Sequence, residues 1–204
     1  MQLIGMLDSP YVRRVAISLQ LLGLPFEHRS ISVFREFDTF AAINPVVKAP
    51  SLICDDAEVL MDSTLILEYA QILAGPRRSL MPAGRAAAQH DLRLIGLALA
   101  ACEKAVQIVY ERSLRPPEKQ HEPWLVRLRG QLVAAFAALE AEVARAPLAA
   151  TSETMMQAGV TAAVVWDFAQ SMVADRVPVA AHPALASYSA AAEALPEFRA
   201  MAPR

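Results

Sequence analysis

The chain has 204 residues, 55% of them hydrophobic, which is enough to bury one large core or two small ones. Its 19 Lys and Arg residues nearly balance 21 Asp and Glu, so no strong field exists to attract nucleic acid or an anionic membrane. With the charges balanced, we expect the partner to be a small molecule. Neither a secretion signal nor an uncharged apolar run of about 18 residues occurs, so we expect a cytoplasmic protein.

The first 75 residues alternate strand-like and helical patterns. An apolar run at 2–6 predicts a buried strand, and Ser9-Pro10 then predicts a helix start, because Ser is a favoured N-cap and Pro suits the first helical position. Gly23 predicts the end of that helix. Helical spacing predicts a core face and a polar face. The core face carries Val12, Val15, Ala16, Leu19 and Leu22, and the polar face carries Arg13, Arg14 and Gln20.

Further strands follow in the same half. The run 26–32 predicts a second strand, and the runs 51–54 and 58–61, on either side of Asp55-Asp56-Ala57, predict a hairpin. Asp62-Ser63 then predicts the start of another helix. With an irregular helical segment before the hairpin, this order predicts an α/β layer with a mixed four-stranded sheet.

The second half is helical throughout. Its periodic segments are 84–113, 122–146, 154–174 and 183–194, separated by prolines at Pro116-Pro117, Pro147 and Pro178. The breakers and charges of 75–82 predict a linker. We therefore predict two domains, an α/β domain at 1–76 and an all-helical domain at 84–204.

Ser9-Pro10-Tyr11 places a hydroxyl beside the unpaired amide groups of a helix start. Such a position favours an anionic sulfur atom. A free thiol has a pKa near ~8.5, and lowering it by ~2 units requires about 2.7 kcal/mol of differential stabilisation, which one donor and a helix terminus can supply. The alternative is that Ser9 only caps the helix.

Two loops could bind the backbone and the charged end of a peptide. If the Ala49–Pro50 bond is cis, the Ala49 backbone can pair with an extended peptide, although an ordinary trans proline at a strand start is the alternative. Asp62 and Ser63, at the start of a helix, could hold an ammonium and a carboxylate group, which together form an α-amino-acid head. A simple N-cap is the alternative there.

Taken together and in order, these motifs resemble the glutathione transferase family over the whole chain. Residues 9–15 resemble the first-helix motif of its Ser-type classes, and residues 44–50 resemble its cis-proline loop. Residues 62–66 resemble its acidic-Ser motif. Segments of the second half also resemble bacterial members. They are Tyr110-Glu111-Arg112, Arg115-Pro116, Glu118, Trp124, His182-Pro183-x-Leu185 and Pro196-x-Phe198.

The resemblance implies a thioredoxin-like first domain, a helical second domain and a homodimer. It implies that Ser9 donates a hydrogen bond to the glutathione thiolate and that Ala49, before Pro50, pairs with the cysteinyl backbone. Lys48 would approach the glycyl carboxylate, and Asp62 and Ser63 would bind the γ-glutamyl end. The second half would contribute to an apolar substrate site at the domain junction. The candidates for that site are Leu7, Tyr11, Tyr110 and Trp166, each of which could instead be plain core.

Three positions depart from the family pattern. Val47 stands where a Gly usually precedes the lysine, so the loop lacks a flexible residue. Thr161 is followed by Val164 rather than by an Asp three residues later, so the usual reciprocal cap of the sixth helix cannot form. We expect a helix start weaker by roughly 0.5–1 kcal/mol, unless Thr161 alone or a neighbouring residue supplies the cap. Asp62 replaces the commoner Glu.

We expect neither cysteine nor metal chemistry. Cys54 and Cys102 fall in apolar patterns and are interpreted as buried small hydrophobes. The four histidines, His28, His90, His121 and His182, show no ligand spacing.

The sequence therefore favours a transferase of alkyl or aryl groups, suited to detoxification, that uses glutathione as co-substrate on an apolar electrophile. A glutathione-dependent isomerase or dehalogenase and a non-catalytic binding or stress protein remain as alternatives.

Overall fold

The first half of the chain forms a four-stranded sheet in the order β2-β1-β3-β4. The structure, a computed structural model, describes residues 1–75 and 78–203. The strands are β1 (Gln2–Ile4), β2 (Glu27–Arg29), β3 (Ser51–Ile53) and β4 (Val59–Met61). β1 pairs in parallel with β2 and antiparallel with β3, and β3 pairs antiparallel with β4. The predicted mixed sheet and its hairpin are confirmed.

Three helices accompany the sheet: α1 (Pro10–Leu21), α2 (Phe37–Ala41) and α3 (Ser63–Ala74). Ile4, Ile31 and Phe40 form a buried cluster, against which partly buried Val47 and Ala49 pack. β1, α2 and the loop before β3 therefore share one core, and α1 packs against α3.

The predicted polar face of α1 is wrong at two residues, because Arg13 and Arg14 are buried. Only 2% of Arg13 and 1% of Arg14 are exposed. Arg13 Nε donates to the Met201 carbonyl at 2.9 Å, and its guanidinium lies 5.8 Å from the centre of the Phe198 ring. Buried cations need such polar and aromatic contacts, and here they come from the far end of the chain.

The second half is helical, as predicted. Its helices are α4 (Arg85–Leu114), α5 (Glu122–Arg145), α6 (Gln157–Val173), α7 (Pro183–Glu193) and α8 (Pro196–Ala200). α4 packs against both α5 and α6, and α7 packs against α5 and α6. Among the described residues, no helix is sufficiently long and apolar to cross a membrane.

The chain divides into two units that differ from the predicted domain ranges at the C-terminal end. One unit is Met1–Leu80 with Ala194–Arg204, and the other is Met81–Glu193. The short helix α8 thus belongs to the first unit, where it contacts α1. The predicted linker at 75–82 includes Pro76 and Arg77, which lie outside the described residues.

α6 begins at Gln157, three residues later than predicted, and Thr161 does not mark its start. Thr161 lies one turn inside the helix, where Oγ1 donates to the Gln157 carbonyl at 2.8 Å. The N-cap residue Met156 offers no capping side chain. Instead, Oδ2 of Asp91 from α4 accepts a hydrogen bond from Ala158 N–H at 3.3 Å. The expected weak start is thus compensated by a carboxylate from another helix.

Candidate functional site

Ser9 occupies the N-cap position of α1, directly after the turn that follows β1. Its backbone is extended, its carbonyl accepts from Arg13 N–H at 2.9 Å, and its side chain makes no capping hydrogen bond. Pro10 follows and contributes no N–H, and Ser9 itself is partly exposed. The interpretation of Ser9 as a side-chain cap is therefore not supported. Its hydroxyl stands at the positive end of a helix dipole, where a donated hydrogen bond would stabilise an anion.

The Ala49–Pro50 bond is cis, and the loop that carries it is fixed by side chains. Asn44 Nδ2 donates to Ser51 Oγ at 2.8 Å, and Ser51 Oγ donates in turn to the Lys48 carbonyl at 2.8 Å. Asn44 and Ser51 are both buried, so these bonds are sheltered from water. These two consecutive hydrogen bonds thus fix the backbone on both sides of the cis bond.

Val47 has a φ of +52°, in the left-handed region that normally favours glycine. A β-branched side chain is strained there. The family pattern has a Gly at this place, and the loop keeps the glycine-like conformation without the glycine. Packing of Val47 against the Ile4, Ile31 and Phe40 cluster offsets part of the strain.

Asp62 and Ser63 stand together at the start of α3. Asp62 is the N-cap residue with φ +72°, and its Oδ1 accepts from Thr64 N–H at 2.9 Å. Asp62 Oδ2 lies 3.5 Å from Lys48 Nζ, and both side chains are about half exposed, so this pair contributes little to stability. Ser63 is buried, with 4% exposed. The structure therefore brings Lys48 and Asp62 together beside the buried hydroxyl of Ser63.

Arg14 contacts the candidate residue Ser63, a contact that the sequence did not predict. Its Nη1 donates to Ser63 Oγ at 3.1 Å and to Thr64 Oγ1 at 3.3 Å. These bonds join α1, the helix that Ser9 begins, to the first turn of α3. A partner 49 residues further along the chain leaves no helical spacing signal, although an arginine directly after another arginine near a helix start is visible in the sequence.

The four candidate residues for an apolar substrate site differ in their surroundings. In the first unit, Leu7 is buried and Tyr11 is partly buried in the first turn of α1. In the second unit, Tyr110 on α4 is 45% exposed, whereas Trp166 on α6 is only 4% exposed. The Trp166 ring lies 5.7 Å from Phe136 and 5.5 Å from His182, which favours a core role for this residue. A role of these four in substrate binding stays a prediction.

Cysteine is not placed for catalysis. Cys54 and Cys102 are both free and buried, as predicted. Burial raises the pKa of the Cys54 thiol, so it is protonated at neutral pH despite a hydrogen bond with Tyr69 that acts the other way. Among the residues that the structure describes, no group of three or more His, Cys, Asp or Glu side chains could hold a metal ion.

Comparison with known proteins gives relatives with the same fold. A family model described as the glutathione S-transferase N-terminal domain matches residues 3–78. The crystal structure of a glutathione transferase family member from Pseudomonas fluorescens Pf-5, with bound S-(propanoic acid)-glutathione, is 30% identical, and 100% of each chain is covered at a TM-score of 0.82. The uncharacterized GST-like protein YibF of Escherichia coli K12 is 27% identical over 69% of this chain and 68% of its own.

A structure of maleyl pyruvate isomerase, a bacterial glutathione S-transferase of the Zeta class, is also similar. It is 26% identical, covers 100% of this chain and 97% of its own, and has a TM-score of 0.77. The sheet, the cis-proline loop and the helical second half define a protein with a thioredoxin-like unit and a helical unit. Identity of 30% over the full length of a known member shows that the chain belongs to the glutathione transferase family.

Proposed function

We propose that this protein binds glutathione and activates its thiol to attack an apolar electrophile, which forms a glutathione conjugate. The observation that carries the proposal is the hydroxyl of Ser9, which stands at the N-terminus of α1 and makes no capping bond. The same unit also contains the cis-Ala49–Pro50 loop and the start of α3, which we propose as the other elements of a tripeptide site. The relative from Pseudomonas fluorescens, which carries a bound glutathione conjugate, supports the same assignment.

Each end of glutathione has a matching group in this proposal. Lys48 binds the glycyl carboxylate, and the backbone of Ala49, before Pro50, pairs with the cysteinyl residue as an added strand. Asp62 binds the ammonium group, and Ser63 donates to the α-carboxylate at the positive end of α3. The ion pair between Lys48 and Asp62 must open for this, at low cost because both side chains are about half exposed.

Ser9 then acts on the thiol. Its hydroxyl donates a hydrogen bond to the sulfur, which favours the thiolate, and the thiol proton is released to water. The thiolate electron pair forms a bond to an electrophilic carbon, and the leaving group departs with the pair of the bond that breaks. Catalysis comes from the lowered thiol pKa and from positioning, and no covalent enzyme intermediate is formed.

Binding and activation are tested separately. Calorimetry with glutathione should show binding to the wild type and about tenfold weaker binding to Ser63→Ala, because a hydrogen bond to a charged group is lost. The thiolate absorbance of bound glutathione, followed against pH, should shift to higher pH in Ser9→Ala while affinity changes little. Full conjugating activity in Ser9→Ala would remove Ser9 from the mechanism.

A glutathione-dependent isomerase is a second candidate, favoured by the similarity to maleyl pyruvate isomerase. The thiol site would be shared, and the product would identify the reaction: an isomer and unchanged glutathione rather than a conjugate. Glutathione binding without turnover of any electrophile would instead favour a non-catalytic binding protein.

We also propose that the protein is a homodimer. α3 presents apolar side chains to solvent, with Leu65 58%, Ile72 71% and Leu73 42% exposed. Burying these side chains against a second copy would be favourable. Light scattering should give a dimer for the wild type and a monomer for Ile72→Glu.

A further inference from the structure

Arg14 is a buried arginine that donates into the first turn of another helix. It lies five residues after Ser9 on α1 and is 1% exposed. Its Nη1 bonds to the hydroxyls of Ser63 and Thr64, the first two residues of α3. Charged side chains are almost never fully buried without hydrogen-bonding partners, so this arrangement ties α1 firmly to the start of α3.

The bond from Arg14 determines how the Ser63 hydroxyl can be used. A serine hydroxyl has one hydrogen to donate and two lone pairs to accept. Because Ser63 Oγ accepts from Arg14, its own hydrogen points away from the guanidinium and can be donated elsewhere. Ser63 is also the first residue of α3, at the positive end of the helix dipole. Ser63 is thereby held as a donor to an anion.

The charge of Arg14 also acts on such an anion. A bond from a hydroxyl to a carboxylate spans about 2.7 Å, and the bond from Arg14 to Ser63 is 3.1 Å. A carboxylate bound by Ser63 would therefore lie within about 6 Å of Nη1. Arginine stays protonated at physiological pH, and buried charges are screened far less by salt than exposed ones.

We propose that Arg14 is a positioning residue for the α-carboxylate of the γ-glutamyl group, acting by orienting the Ser63 hydroxyl and by its own charge. This inference rests on the proposed function. Because Ser9 begins the same helix, α1 then carries both the donor to the thiolate and the residue that orients the opposite end of the peptide. The distance between these two functions is fixed by one rigid element.

The test pairs two variants with two ligands. Arg14→Met removes the guanidinium that contacts Ser63, and Arg13→Met is the matched control, since it removes a buried guanidinium from the same helix that contacts Met201 instead. The ligands are glutathione and its analogue γ-aminobutyryl-cysteinyl-glycine, which lacks only the α-carboxylate. Calorimetry measures all combinations at one salt concentration.

We expect Arg14→Met to weaken glutathione binding by about tenfold or more and analogue binding by less than about twofold. Arg13→Met should change the two affinities by the same factor. In a Ser63→Ala background, Arg14→Met should cost less than it does in the wild type, because the two residues act through one hydrogen bond. Equal losses for both ligands, or no loss at all, would overturn the inference.

Two further measurements keep the result decisive. If Arg14→Met does not fold, Arg14→Lys is measured with the same ligands, because it keeps the charge and loses the planar guanidinium. Its affinity for glutathione should fall more than its affinity for the analogue. In the wild type, the guanidinium NMR signals of Arg14 should shift on adding glutathione and much less on adding the analogue; equal shifts would contradict the inference. If the wild type binds no glutathione, the proposed function fails too, whereas wild-type binding with equal losses refutes only the role of Arg14.

Discussion

Gly5 and Ala49 approach so closely that a β-carbon on Gly5 would stand 3.1 Å from the β-carbon of Ala49. The same added atom would lie 2.7 Å from Cγ2 of Val12. Gly5 follows β1, Val12 lies on α1, and Ala49 precedes the cis-proline. The absence of a side chain at Gly5 therefore allows the strand, the helix that Ser9 begins and the cis-proline loop to come together.

Gly5→Ala should lower the free energy of unfolding by about 3 kcal/mol, because φ at Gly5 is +133° and the new methyl group meets two neighbours. Denaturant unfolding measures this loss. Gly23→Ala is the control, since Gly23 also has a positive φ, of +69°, but has no atoms within 4 Å of the added carbon. It should lose only about 1 kcal/mol. Equal losses in the two variants would show that the close approach has no energetic consequence.

Backbone strain at Val47 can be tested by comparing the stabilities of two variants. Val47→Ala and Val47→Gly both remove the γ-methyl groups, but only Ala keeps a β-carbon at φ +52°. We expect Val47→Gly to be more stable than Val47→Ala by roughly 0.5–1 kcal/mol. At exposed Ala100 inside α4, Ala→Gly should instead destabilise by about 1 kcal/mol. Chemical denaturation measures the stability of the three variants. If Val47→Ala were more stable than Val47→Gly, the backbone strain at Val47 would be refuted.

Asp91 predicts a pH dependence of stability. Burial raises the pKa of this carboxyl, although its bond from Ala158 N–H and the charge of His90 act the other way. The unfolded carboxyl titrates near pH ~3.9. Between that value and the higher folded pKa, the folded state binds more protons than the unfolded one. The contribution of Asp91 to stability is therefore largest below about pH 4 and falls as the pH rises through the folded pKa.

Asp91→Asn keeps an oxygen that can accept from Ala158 N–H and removes the titration. We expect this variant to gain stability relative to the wild type as the pH rises from about 4 to 7. Asp91→Ala, which also loses the cap, should be less stable than Asp91→Asn by about 1 kcal/mol at both pH values. Thermal unfolding between pH 3.5 and 7.5 measures the difference, and an advantage of Asp91→Asn that shrinks as the pH rises would contradict the prediction.

Gly159 makes room for the hydroxyl of Tyr188 against α6. A β-carbon on Gly159 would overlap Tyr188 Oη and would lie 3.4 Å from its Cζ. Gly159→Ala should therefore cost about 2 kcal/mol, and adding Tyr188→Phe should recover about half of that loss. A double-mutant cycle by denaturant unfolding measures the coupling. Gly96→Ala, with open space around its added carbon, should stabilise α4 by up to about 1 kcal/mol.

Local patterns were sufficient to predict the order of strands and helices. Ser9-Pro10 correctly predicted the start of α1, since an N-cap and a first-position proline act within a few residues. The alternation around Asp55-Asp56-Ala57 correctly predicted the β3–β4 hairpin. The family resemblance indicates a cis-proline loop at 44–50, but the sequence leaves the isomer of the Ala49–Pro50 bond open, because residue statistics alone disfavour the cis form. The structure shows that the bond is cis.

The features that were missed depend on partners far away in the chain. Helical spacing predicts Arg13 and Arg14 on the polar face of α1, because it carries no information on distant partners such as the Met201 carbonyl or the Ser63 hydroxyl. The family pattern places the cap of α6 at Thr161. In the structure, the carboxylate that accepts from the first turn of α6 belongs to Asp91, 67 residues before Ala158. Tertiary contacts of this kind override local preference, and they include the bond that orients Ser63.

The contacts of Arg13 determine when the first unit can be completed during synthesis. Phe198 and Met201 lie beyond the whole second unit in the sequence, yet they contact α1 of the first. On the ribosome, residues 1–80 emerge early and then lack these two contacts while residues 81–193 are synthesised. The unit that carries Ser9 and Ser63 is thus begun before residues 81–193 are synthesised, and it gains its contacts from Phe198 and Met201 only after them.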